Sequence, residues 1–142
     1  MSGAVVLQGV GRLGSAILEG WLLTGAVDPK DLIILTPSEK PVAEKARALG
    51  ARINPPLEAL AGAKAFVIGV KPAKWVEASK PVLAHLNKDA VIVSVMAGVT
   101  EATISEGFEG RSVVRVMPTT GVAQAQGVAS LWSSDQRALF LG

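Results

Sequence analysis

The chain has no cysteine and a single histidine, His85. The first absence excludes disulfides and thiolate metal sites, and the second excludes a histidine metal cluster. No metal is expected. Basic residues never gather into runs and are not interleaved with aromatics, which are 4% of the chain. The net charge of +2 therefore leaves no nucleic-acid footprint. Long hydrophobic runs are also missing. The longest uncharged apolar stretch, 90–99, is about half of a membrane span, so no membrane partner is expected. The opening "MSGAVVLQG" carries no basic leader and does not read as a secretory signal, which makes the cytoplasm the default location.

What is present describes a globular domain. Hydrophobic residues make up 49% and charged residues 18%, a balance that argues against disorder. A length of 142 residues suits one domain. Such a chain buries roughly two-thirds of its unfolded surface.

Short apolar runs alternate with helical patterns. Strands are predicted over 4–8, 31–36, 65–70, 90–95 and 112–117, with a shorter one at 51–53 and a further one at 128–132. Most are apolar throughout, as expected where helices cover both faces of a parallel sheet. Helices are predicted over 12–24, 41–49 and 73–86, the last kinked or split by Pro81. Thr100 caps a further helix reaching to about Glu106, with Val99 and Ile104 spaced as a hydrophobic staple. The fold class is α/β: a doubly wound, mostly parallel, Rossmann-like sheet with helices on both faces. Ser133 and Gln136 are spaced as a capping box that opens one more helix. That end is either a frayed terminus or the start of a longer protein.

The segment "QGVGRLG" sets Gly9, Gly11 and Gly14 in the spacing G-x-G-x-x-G, between the first strand and the first helix. That placement is the context of a dinucleotide fingerprint, although the spacing alone also fits a glycine-rich turn. Gly9 permits the tight turn, Gly11 lets a pyrophosphate approach the backbone, and Gly14 brings helix and strand together. The helix N-terminus, with Val10, Arg12 and Leu13 around it, offers N–H groups to phosphates. Arg12 either reaches a phosphate or is solvated.

An NAD site usually has a carboxylate about 20 residues further on, at the end of the second strand. Here the sequence is "TPSEK". Thr36, Ser38 and Lys40 offer hydroxyls and a cation, which suit a 2′-phosphate, so NADPH is expected over NADH. Glu39 turned inward would weaken this reading, and a plain polar turn around Pro37 is the bland alternative. Three more segments fall at strand exits: 69–72 ("GVKP"), 95–99 ("VMAGV") and 115–121 ("RVMPTTG"). Ligands of open α/β sheets bind there. Lys71 is a charge among apolar neighbours, or a solvated loop lysine. His85 reads as a surface or helix-capping residue. Trp21, Trp75 and Trp132 read as core or interface residues, with Trp75 a candidate for an exposed position facing a second domain.

"GVGRLGSAILEGWL", "VKP", "VSVMAGVT" and "VVRVMP" occur here in that order. Together they resemble the pyrroline-5-carboxylate reductase family, specifically its N-terminal cofactor-binding domain, over essentially the whole chain. The resemblance implies an oxidoreductase that passes a hydride from NAD(P)H to the C=N bond of 1-pyrroline-5-carboxylate, the last step of proline biosynthesis. It implies that Gly9 to Gly14 hold the pyrophosphate and that Thr36, Ser38 and Lys40 surround the adenosine ribose. Gly69, Val70, Lys71 and Pro72, with Met96, Ala97 and Gly98, line the nicotinamide half. Pro118, Thr119 and Thr120 border the reacting ring.

Two departures stand out. The family's N-T-P is Thr119-Thr120-Gly121 here, and an asparagine expected near Pro56 stands two residues earlier, as Asn54. Family members also continue into a helical domain that forms the dimer and much of the substrate pocket. The expected organisation is therefore a cofactor-binding domain over 1–132 and, from 133–142, the start of a helix leading to that second half. A homodimer or higher oligomer is expected only with it. Alternatives are a related dehydrogenase of the β-hydroxyacid or prephenate type and a non-catalytic nucleotide-binding module.

Overall fold

The computed structural model describes residues 4–10, 12–24, 27–37, 40–96 and 98–115. Six parallel strands form one sheet: β1 (Ala4–Gln8), β2 (Leu32–Leu35), β3 (Arg52–Ile53), β4 (Ala63–Ile68), β5 (Val91–Ser94) and β6 (Val113–Arg115). Their order is β3-β2-β1-β4-β5-β6. The chain starts in the middle, winds outward to β3, then crosses back to β4 and winds the other way. The doubly wound expectation is met, and the crossing leaves a switch point between β1 and β4. Four helices connect the strands: α1 (Arg12–Thr24), α2 (Pro41–Ala48), α3 (Trp75–Leu83) and α4 (Glu101–Gly107).

Alternate side chains of the strands feed two separate cores. Val5, Leu7, Leu32, Ile34, Val67 and Val93 point to the face covered by α1 and α2, against Ile17, Leu18 and Trp21. Val6, Ile33, Phe66, Ile68 and Ile92 point the other way, against Trp75, Val82, Ile104 and Phe108. Both faces are buried, which is why the strands read as unbroken apolar runs. Each large side chain buried this way stabilises the fold by roughly 1.5–3 kcal/mol.

The second core holds Trp75, only 5% exposed, so its reading as a core residue holds and the exposed alternative is corrected. Its ring stacks on Phe108 at a centroid distance of 6.0 Å. A Cβ at Gly107 would stand 2.6 Å from the same ring, so only glycine admits it.

Several boundaries differ from expectation. α3 begins at Trp75 because residues 72–74 form a turn, with the Lys74 N–H donating to the Lys71 carbonyl (2.9 Å). It runs through Pro81 without splitting. β4 ends at Ile68, where the Gly69 N–H turns to the Gln8 carbonyl (2.7 Å). A six-residue 3-10 helix, Leu57–Gly62, was not foreseen. Thr100 caps α4 as expected, accepting the Thr103 N–H at 3.2 Å. Arg111 is buried and spends its guanidinium on the carbonyls of Leu86, Asn87 and Phe108, at 2.8, 3.0 and 2.9 Å. It ties the end of α4 to the loop before β5. Trp132, Ser133 and the expected strand at 128–132 lie outside the described residues. Among the described residues no helix is long and apolar enough to cross a membrane.

Candidate functional site

The carboxyl ends of β1, β2 and β4 open into a cleft of about 960 Å³. One wall is the glycine loop. Gly9 has φ +91°, in the left-handed region, and its N–H donates to the Leu35 carbonyl at 2.8 Å. A Cβ at Gly9 would lie 2.6 Å from Val70 Cγ1. A Cβ at Gly14 would collide with the Gly9 carbonyl oxygen, and one at Gly69 would lie 2.9 Å from that same oxygen. These three glycines lock β1, α1 and the β4 exit together. Their first duty is packing. Gly11 lies outside the described residues. α1 starts at this wall with no acidic residue in its first turn, so nothing there opposes an anion. Ser15 Oγ donates to the Val10 carbonyl (3.0 Å) and steadies the loop.

The opposite wall follows β2. Thr36, Pro37 and Lys40 line the cleft, and Asn54 joins them from the end of β3. The Thr36 N–H donates to Asn54 Oδ1 (3.0 Å), and Asn54 Nδ2 donates to the Thr36 carbonyl (2.8 Å). Gly69, Val70, Lys71, Pro72 and Met96 close the third side. The Met96 N–H is held by Ser94 Oγ at 3.1 Å.

Nine of the nineteen expected site residues line this cleft. Gly14 lies beneath the loop and does not line the cleft. Gly98, at φ +79°, is exposed and also outside the lining. Arg12 and Leu13 open α1 at the loop. Gly11, Ser38, Ala97, Pro118, Thr119 and Thr120 lie outside the described residues.

The cleft also uses residues the motifs did not flag. Lys74, Glu77, Ala78, Pro81 and Val82 bring α3 into the lining. Gln8 is buried at the end of β1, where Nε2 donates to the Ala78 carbonyl (2.7 Å) and Oε1 accepts from Ser79 Oγ (3.4 Å). A lone amide closing an apolar strand was the available signal for it. Among the described residues, three lysines, Lys40, Lys71 and Lys74, line the cleft with one carboxylate, Glu77. Most of the remaining lining is apolar. That combination suits a flat aromatic ligand carrying several negative charges.

Lys64 has its pKa lowered by burial, with Asp31 pulling it back up. It stands near the amino end of β4, away from the cleft. Among the described residues no group of acidic or histidine side chains is placed to hold a metal ion.

A parallel sheet with this strand order, a glycine loop at its first turn and a cleft at its switch point define a Rossmann-type dinucleotide-binding domain. The chain belongs to the family described as NADP oxidoreductase, coenzyme F420-dependent, which matches residues 4–98. It is 30% identical over 125 residues to pyrroline-5-carboxylate reductase of Escherichia coli, covering 87% of this chain and 46% of that protein. The chain thus spans about half the length of the curated relatives it matches. The crystal structure of Plasmodium falciparum pyrroline carboxylate reductase with NADP bound superposes with a TM-score of 0.66 at 20% identity, over 89% of this chain and 45% of that one. A pyrroline-5-carboxylate reductase from Coxiella burnetii gives 0.71 at 18% identity, over 99% and 67%. At these identities the structures establish the fold.

Proposed function

We propose that this chain is the cofactor-binding half of an NADPH-dependent reductase acting on the C=N bond of 1-pyrroline-5-carboxylate to give L-proline. The observation that carries the cofactor reading is the lysine-rimmed, apolar cleft above the glycine loop and the start of α1. The substrate reading rests on the reductase relatives together with the VKP and R-x-M-P segments.

The residues present fit a phosphorylated dinucleotide. Backbone N–H groups of the loop from Gly9 to Gly14 face its pyrophosphate. Thr36, Ser38 and Lys40 surround the adenosine ribose, and Lys40 neutralises a 2′-phosphate. Gly69 to Pro72 with Met96 to Gly98 form the nicotinamide end, and Pro118 to Thr120 border the reacting ring. When bound, the reduced nicotinamide supplies the hydride for the imine carbon, and a proton completes the amine nitrogen. The chain's part is to orient the cofactor and exclude water from one side of it. Lys71 is a cation this chain offers at that end, and a second, helical half completes the substrate pocket. Homodimer formation and a cytoplasmic location go with that complete enzyme. NADH serves as the weaker cofactor.

The test is to follow NADPH oxidation on adding 1-pyrroline-5-carboxylate to the purified 142-residue chain. Cofactor binding with little or no turnover is expected. Steady proline formation by this chain alone would overturn its assignment as the cofactor half.

A further inference from the structure

α3 brings Lys74, Glu77, Ala78 and Pro81 into the cleft lining, spaced as one face of a helix, with Val82 beside them. Pro81 stands inside this nine-residue helix. A proline there has no N–H for the carbonyl four residues back, and its ring presses on that carbonyl. The carbonyl that loses its helical donor is that of Glu77. Glu77 and Pro81 are both exposed and both line the cleft, so this acceptor lies along the cleft face of α3.

The carbonyls around it are occupied. That of Lys74 accepts the Ala78 N–H at 3.0 Å. That of Ala78 is taken from below by Gln8, which is buried at the end of β1 and donates Nε2 to it at 2.7 Å. Gln8 Oε1 also accepts from Ser79 Oγ at 3.4 Å. The amide therefore pins α3 to the sheet at the very turn that the proline loosens, and the Glu77 carbonyl is held in place.

Leu35, at the end of β2, and Leu57 pack on the same side of the sheet as α3, and both line the cleft. With Ala78, Pro81 and Val82 they make an apolar slot. Leu35 leads directly into Thr36, on the wall assigned to the adenosine ribose. The planar base carried by that ribose is the part of a dinucleotide suited to an apolar slot, and the few polar groups there decide which base fits. Adenine has an exocyclic amine, a donor, where hypoxanthine has a carbonyl. On the dinucleotide-binding role proposed for this chain, we infer that the Glu77 carbonyl, released by Pro81, accepts the exocyclic amine and selects adenine over an oxo-purine. An oxo-purine sets acceptor against acceptor and leaves both unpaired, which costs more than the hydrogen bond itself contributes.

The test measures dissociation constants for two pairs: NADPH with its hypoxanthine analogue, and NADH with its own. They are measured on the wild-type chain, on P81A and on P81S. Using both pairs frees the result from any preference for the 2′-phosphate. The wild type is expected to bind the adenine member of each pair about tenfold more tightly. Alanine and serine both return an N–H to the Glu77 carbonyl, and either is a better helix residue than proline. Each is expected to cut the ratio to about twofold. Loss of the proline ring as a packing surface would weaken both bases equally and leave the ratio intact. Either variant decides the matter if the other does not fold. Dinucleotide binding without base preference in the wild type, or a preference that survives in the variants, would overturn the inference and leave the cofactor role standing. Binding of none of the four would overturn the cofactor role, and the inference with it.

Discussion

The two walls of the cleft are built by different physics. The glycine wall is fixed by contact. Gly9, Gly14 and Gly69 bring three backbone segments closer than any Cβ allows. The β2 wall is fixed by hydrogen bonds between residues 18 positions apart, Thr36 and Asn54. Contact of the first kind is all or nothing. Polar clamping of the second kind is graded, and it is the natural place to tune which ligand fits.

Substitutions should separate the walls. The largest effect is expected for G14A, whose methyl group meets the Gly9 carbonyl oxygen in a backbone that cannot yield. A destabilisation of about 2–3 kcal/mol or more is expected in urea unfolding, with cofactor binding lost alongside. G9A follows, combining a φ of +91° with a 2.6 Å approach to Val70. About 2 kcal/mol is expected by the same measurement. On the other wall, K40A should leave the unfolding midpoint unchanged and weaken NADPH about tenfold in a binding titration, with NADH nearly unaffected. A large fall in stability for K40A would erase the contrast.

The smallest effect lies far from both walls, at Lys64. Burial lowers its pKa from the usual 10.5, so the unfolded chain binds the proton more tightly than the folded one. Stability from this group is therefore reduced while the folded lysine is charged. It recovers as the pH rises from the lowered folded value toward 10.5. Comparing the urea midpoints of wild type and K64M between pH 8 and pH 10.5 should show a slight rise that K64M lacks.

The same division explains what could be read in advance. The five main strands and the glycine loop were legible, because unbroken apolar runs and fixed glycine spacings are local consequences of burial and close packing. Trp75 was legible as a core residue but its packing partners were not, since nothing local tells that Gly107 and Phe108 receive its ring. Gln8 went unread as a site builder, and Asn54 was noted only as a displaced asparagine, for a similar reason. Their partners, Ala78 and Thr36, are 70 and 18 residues away. β4 was displaced by two residues because 63–70 is apolar except for Lys64, and only the bond from Gly69 to Gln8 marks where pairing stops.

The most direct measurement is a calorimetric titration of this chain with NADPH and, separately, with NADH. Saturable binding of NADPH, clearly tighter than NADH and weakening as salt rises, is the result expected of a cleft rimmed by Lys40, Lys71 and Lys74. Equal affinity for the two cofactors, or binding of neither, would contradict it.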